Sequence, residues 1–152
     1  MERKVKVGFI GYGNMAQAIA KGLIKAGVCA GDEIFACASN YDKLLKNAEI
    51  LGINGAESAE EVVGNSDFVI LAVKPYQIEA VVAPILDLLA TKVVISIAAG
   101  FNFEKYEAIF KPQTHHISTI PNTPISVGEG ILVCEKKHSL SQAEYDIFIQ
   151  MF

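Results

Sequence analysis

Apolar residues along this chain change their period at regular intervals, and each change marks a junction between elements. In KVGFIGYGNMAQAIAKGLIKAG, residues 6–27, Val7, Phe9 and Ile10 continue from Val5 as a buried β-type run, whereas Met15, Ala18, Ile19, Gly22 and Leu23 recur at helical spacing. The switch falls on Gly11-Tyr12-Gly13. The same reading predicts strands over residues 5–10, 33–38, 53–54, 67–73, 92–97, 114–120 and 131–134. It predicts helices over 14–26, 41–51, 59–63, 75–89, 103–110 and 141–152. Gly27 and Gly52 suit helix stops. Ser58 and Glu61 match a capping box, and Pro84 should kink or divide the helix that holds it. The run DFVILAV, residues 67–73, has the apolar character of a strand at the centre of a parallel sheet.

Strands alternating with helices of these lengths imply parallel βαβ units, and right-handed crossovers place helices on both faces. The predicted class is therefore α/β, a doubly wound, mostly parallel sheet. In such sheets ligands lie beyond the carboxyl ends of the strands. That rule selects five loops, at residues 11–15, 38–41, 74–75, 98–100 and 121–124.

Composition narrows the classes. The 152 residues suit one domain, and 51% of them are apolar, enough for a core. No apolar run reaches the ~20 residues of a membrane span, and no signal peptide precedes the first strand. The formal net charge of −4 is scattered, which argues against a nucleic-acid face. Cys29, Cys37 and Cys134 are widely spaced without a metal-ligand pattern, so reduced thiols in a cytoplasmic protein are expected. His115 and His116 are strand neighbours facing opposite ways; they cannot share a metal and read as structural. Phe101, Phe103, Tyr106 and Phe110 fit a packing face better than a cofactor box.

The glycine junction carries the chemistry. Gly11-Tyr12-Gly13-Asn14-Met15-Ala16 fits G-x-G-x-x-G/A between a strand and a helix. Gly11 permits the tight turn, Gly13 lets a pyrophosphate approach the backbone, and Ala16 keeps helix and strand close. Free N–H groups and the helix dipole then attract phosphate. At the end of the second strand, Ala38-Ser39-Asn40 lacks the acid that usually holds an NAD ribose. Lys43 could add positive charge one turn on; Asp42 works against this unless it only caps the helix. NADP is therefore favoured, with NAD possible. Lys74-Pro75 reads either as a backbone shelf beside the cofactor or as a helix start with a solvated lysine. Ala98-Ala99-Gly100 either makes room for something flat or is a simple turn. Pro121-Asn122-Thr123-Pro124 is a stiff polar loop suited to positioning substrate, or an ordinary X-Pro turn.

Taken together, GFIGYGNMAQAIAKG, DFVILAVKP, VVISIAAG and IPNTP resemble, in order, the N-terminal domain of the pyrroline-5-carboxylate reductases, over essentially the whole chain. The resemblance implies a Rossmann-type domain and NAD(P)H-dependent reduction of 1-pyrroline-5-carboxylate to L-proline, the last step of proline biosynthesis. It implies that the pyrophosphate lies against Ile10, Gly11, Tyr12, Gly13, Asn14 and Met15, and the adenosine ribose near Ala38, Ser39 and Asn40. Ala72, Val73, Lys74 and Pro75 would flank the cofactor, and Ala98, Ala99 and Gly100 its nicotinamide half. Pro121, Asn122 and Thr123 would line the substrate side.

Departures are visible. The Arg that bacterial members often carry near Ser39 is missing, an adenosine-binding Asn aligns near Ala59, and Ser118 and Ile120 replace the usual Arg and Met. The family's helical dimerisation domain, with its Gly-Ser-Gly-Pro-Ala run, is absent, and the chain stops on an apolar stripe of Tyr145, Phe148, Ile149 and Phe152. A truncated piece is expected, with homo-oligomerisation belonging to the full-length protein and a small molecule as substrate. No general acid is identified. A related Rossmann reductase, such as a β-hydroxyacid dehydrogenase, and a non-catalytic NADP-binding module are the alternatives.

Overall fold

The computed structural model describes residues 5–98, 101–120, 133–134 and 138–151. Seven strands form one sheet in the order β3-β2-β1-β4-β5-β6-β7. They are β1 (Val7–Ile10), β2 (Ile34–Cys37), β3 (Asn54–Gly55), β4 (Phe68–Leu71), β5 (Val93–Ser96), β6 (His115–Ile120) and β7 (Val133–Cys134). The first six run parallel, and β7 pairs antiparallel with β6. The predicted doubly wound, mostly parallel sheet is thus observed. The helices are α1 (Asn14–Lys25), α2 (Tyr41–Leu51), α3 (Ala59–Gly64), α4 (Ile78–Val82), α5 (Leu86–Leu89), α6 (Phe103–Ile109) and α7 (Gln142–Met151).

Period-two alternation divides each central strand between two cores. Val7 and Phe9 of β1, Phe68 and Ile70 of β4, and Val93 and Ile95 of β5 pack with α1, α2 and α7 through Leu23, Leu44 and Phe148. Ile10, Val69, Leu71 and Val94 face the other way, against Val62, Val82, Leu89 and Tyr106 of α3, α4, α5 and α6. All four residues of β4 are buried, and a large aliphatic side chain so placed contributes about 1.5–3 kcal/mol.

Local chemistry ends the helices where glycine allows it. Gly27 and Gly52 take φ of +74° and +69°, the left-handed conformation that closes a helix. Pro84 divides the predicted 75–89 helix into a 3-10 turn at Pro75–Gln77, then α4, a second 3-10 turn at Ala83–Ile85, and α5. Strands are shorter than their apolar runs, because Val73 and Ile97 lie beyond the strand ends yet still pack on the cores. Two capping expectations are corrected. Asn40, not Asp42, caps α2: its Oδ1 accepts from the Lys43 N–H at 3.1 Å. Ser58 caps α3, but the Glu61 carboxylate accepts from the Glu57 N–H rather than closing the box on Ser58. In α7, Phe148 and Met151 enter the core while Ile149 is 52% exposed, so the apolar stripe read there is only partly a packing face. Phe152 lies outside the described residues.

Candidate functional site

The carboxyl ends of the central strands stand level. Register pairs Ile10 with both Cys37 and Leu71, Leu71 with Ser96, and Ser96 with Ser118. The ladder runs slightly past the strands: the Ala72 N–H donates to the Ile10 carbonyl at 2.8 Å, and the Ile97 N–H to the Leu71 carbonyl at 3.1 Å. The rim is therefore one continuous edge. The strand order reverses between β1 and β4, which is the switch point where such sheets open a crevice.

Gly11 turns the chain at that point with φ +93°. Its N–H donates to the Cys37 carbonyl at 2.9 Å. On its other side, a Cβ would lie 2.8 Å from the Ala72 carbonyl oxygen. The turn is thus held between the ends of β2 and β4, and only glycine fits. Gly13 is different. Its φ of −84° is open to any residue, and a Cβ there would meet nothing within 4 Å. Neither a positive φ nor close packing demands a glycine at 13; as the N-cap of α1 it leaves open space beside the first turn.

α1 begins at this open space. Gly13 is its N-cap, no side chain caps the first turn, and no acid stands in it. The positive end of the helix dipole and the first N–H groups face outward without a negative side chain to occupy them. Gln17 Nε2 donates to the Tyr12 carbonyl at 3.2 Å, fixing the turn from behind. The Tyr12 side chain is buried against Phe9, ring centroids 5.9 Å apart, and burial pushes its phenol up to about 12. The Tyr12 hydroxyl stays protonated and has no hydrogen-bond partner among the described residues. Ile10 is buried at the strand end, Asn14 is exposed, and Met15 is half-buried against the core.

At the end of β2, Ala38 is half-buried, and Ser39 and Asn40 are exposed. With the Asn40 carbonyl committed to α2, the Ser39 hydroxyl is the freer polar group, and Lys43 is exposed one turn on. Beyond β4, Ala72 and Val73 form the wall against Gly11. Lys74 is exposed; its N–H donates to Gln77 Oε1 at 3.0 Å, and Pro75 starts the 3-10 turn. The lysine head thus reaches solvent, and the shelf is main chain.

Beyond β5, Ala98 is buried, with its N–H donating to Ser96 Oγ at 3.2 Å. Ala99, Gly100, Pro121, Asn122 and Thr123, expected at the nicotinamide and substrate side, lie outside the described residues. Sequence reasoning missed a set of buried hydroxyls beside Ala98. The Ser96 Oγ and Tyr106 hydroxyl are 2.5 Å apart, Thr119 Oγ1 donates to the Ser96 carbonyl at 3.0 Å, and Ser118 Oγ donates to the Phe101 carbonyl at 3.1 Å. The signal was a serine closing the apolar strand VVIS, since a buried hydroxyl needs partners.

The histidines are held by carboxylates on opposite faces: His115 Nδ1 by Glu144 of α7 and His116 Nε2 by Glu107 of α6, each at 2.6 Å. Cys29 and Cys37 are free, buried thiols, the first pushed up to about 12 by burial and then by Glu33, the second raised by burial.

Known proteins share this arrangement. A pyrroline-5-carboxylate reductase of Treponema pallidum is 39% identical over 145 residues, covering 93% of this chain and 55% of that protein. The Escherichia coli pyrroline-5-carboxylate reductase is 37% identical over 127 residues, covering 83% and 47%. The crystal structure of Plasmodium falciparum pyrroline carboxylate reductase with NADP bound superposes with a TM-score of 0.82 at 28% identity, covering 99% of this chain and 56% of that one. The resemblance drawn from the four motifs is borne out. The chain spans about half the length of the curated relatives it matches. Residues 6–100, the stretch that holds the glycine turn and the first five strands, match the family model described as NADP oxidoreductase, coenzyme F420-dependent, and the chain belongs to that family.

Proposed function

We propose that this chain is the cofactor-binding half of a pyrroline-5-carboxylate reductase, which reduces 1-pyrroline-5-carboxylate to L-proline with NADPH, or less favourably NADH. The observation that carries it is Gly13, a glycine that the fold itself does not require, at the open amino end of α1 and at the switch point of the sheet. The family description pairs NADP with coenzyme F420, whereas relatives at 37–39% identity bear the pyrroline-5-carboxylate reductase name, and the substrate reading follows them.

The residues fit a dinucleotide. Main-chain N–H groups from Gly13 to Met15 hold the pyrophosphate, and Ile10, Gly11 and Tyr12 shape the turn beneath it. Ala38, Ser39 and Asn40 flank the adenosine ribose, where no acid stands at the strand end itself, although Asp42 opens α2 beside it. Ala72 to Pro75 form the wall beside the phosphates, and Ala98 stands toward the nicotinamide half, the role the family resemblance also gives Ala99 and Gly100. The same resemblance assigns Pro121, Asn122 and Thr123 to the substrate. When bound, the nicotinamide supplies the hydride. The chain's work is alignment, which contributes roughly 7–11 kcal/mol in favourable cases. No side chain among the described residues is assigned as a general acid.

Proline-forming activity belongs to the whole enzyme, whose helical half supplies dimerisation and most substrate contacts. A cytoplasmic location suits the free thiols; among the described residues no helix is long and apolar enough to cross a membrane. The test is NADPH oxidation by the whole enzyme with 1-pyrroline-5-carboxylate, beside the keto form of a β-hydroxy acid. Turnover with the first and not the second supports the reading; the reverse overturns it.

A further inference from the structure

Tyr106 is a buried phenol that packing alone does not explain. Its ring lies in an aromatic cluster, centroids 4.4 Å from Phe101, 5.0 Å from Phe110 and 5.9 Å from His116. A phenylalanine would fill that space equally well. The hydroxyl adds the 2.5 Å contact to Ser96 Oγ, and a buried hydroxyl is tolerated because it is so paired. Ser96 raises the matching question, because the other three residues of β5 are Val93, Val94 and Ile95. Its Oγ accepts from the Ala98 N–H at 3.2 Å. Tyr106 therefore reaches the main chain at Ala98 through one intermediate oxygen. Its ring also rests on Phe101, whose N–H donates to the Ala98 carbonyl at 3.4 Å and whose carbonyl accepts from Ser118 Oγ.

The place of this chain of contacts gives it a role. Ser96 stands in register with Leu71 and, through it, with Ile10, at the ligand edge of the sheet. The order β2-β1-β4-β5 puts β5 three strand spacings from β2, about 14 Å at the usual separation. A dinucleotide with its phosphates over β1 and its adenosine over β2 extends its other half toward β5.

We propose that Tyr106 is a positioning residue for the nicotinamide half of the dinucleotide: its hydroxyl fixes Ser96, and Ser96 fixes the backbone at Ala98. The inference rests on the NADP reading above. It acts through the scaffold, so it touches neither substrate nor cofactor, and it gives the two halves of the cofactor separate supports.

The test titrates the 152-residue chain with NADPH and with adenosine 2′,5′-bisphosphate, which carries the adenosine half alone. In Tyr106→Phe, loss of one buried hydrogen bond is expected to weaken NADPH binding about threefold to tenfold and leave the bisphosphate within about twofold. Ser96→Ala should do the same, and the double variant should be no weaker than either single one, since both remove one linkage. Ser96→Thr, which keeps the hydroxyl, should bind NADPH like the parent. Equal weakening of both probes, or additive losses in the double variant, would show a structural role only and overturn the proposal, as would unchanged NADPH binding. Should Tyr106→Phe fail to fold, Ser96→Ala against Ser96→Thr decides. A parent chain that binds neither probe refutes the cofactor reading itself, and the inference falls with it.

Discussion

The carbonyl oxygen of Ala72 stands 2.8 Å from the point that a Cβ on Gly11 would occupy. One residue at the end of β4 thus dictates the residue that turns the chain after β1, and two loops far apart in sequence are fitted to each other. The glycine turn and the shelf beside it pack as one unit.

Gly11→Ala should therefore fail on two counts, a positive φ and a backbone clash. It is expected to lose about 2–4 kcal/mol of stability, measured by urea denaturation. Gly13→Ala meets neither obstacle and should cost no more than about 1 kcal/mol, the scale of an N-cap change, while NADPH affinity drops about tenfold or more, equal to ~1.4 kcal/mol. A destabilised Gly13→Ala chain with intact binding would contradict the division of labour between the two glycines.

Cofactor preference should turn on position 39. Ser39→Asp places a carboxylate beside the 2′-position, and NADPH affinity is expected to fall about tenfold or more relative to NADH. Parallel titrations with both nucleotides check this; an unchanged ratio would place the 2′-phosphate elsewhere.

Alkaline pH should loosen the fold through its buried phenols and thiol. Burial pushes Tyr12 and Tyr106 from 10 up to about 12, and Cys29 from 9 up to about 12. A group whose pKa is raised by folding ionises first in the unfolded chain. Its stabilisation is full below the unfolded value and is lost as pH climbs toward the folded one. Stability should hold to about pH 9 and then decline toward pH 12, by up to about 1.4 kcal/mol per pH unit for each such group. Denaturation midpoints at pH 8, 10 and 11.5 test the slope, and Tyr106→Phe should flatten it. A flat profile through pH 11.5 would show these groups solvated.

Much of this was legible in the residues, for reasons that can be named. The α2 bounds follow from Gly52, whose φ of +69° is a glycine conformation, and the division of the 75–89 helix follows from Pro84. The glycine turn was legible because the apolar period changes across it and Gly11 takes a φ of +93° that only glycine adopts readily. Long-range pairings were not. Neither the carboxylates that hold His115 and His116 nor the Ser96 partner of Tyr106 leaves a local pattern, because each lies on another element. The Tyr106 ring was read correctly as packing, but its hydroxyl was not accounted for. The choice between Asn40 and Asp42 as cap was also closed to sequence, since both are good capping residues two positions apart.

The central claim is that the main-chain N–H groups opening α1 grip a dinucleotide's phosphates. Titrating NADPH into the isotopically labelled chain while following amide resonances tests it most directly. Saturable shifts at Gly13, Asn14 and Met15, together with residues 38–40, are the predicted result. Stationary amides at 13–15 under saturating NADPH, or shifts confined to the amino ends of the strands, would contradict it.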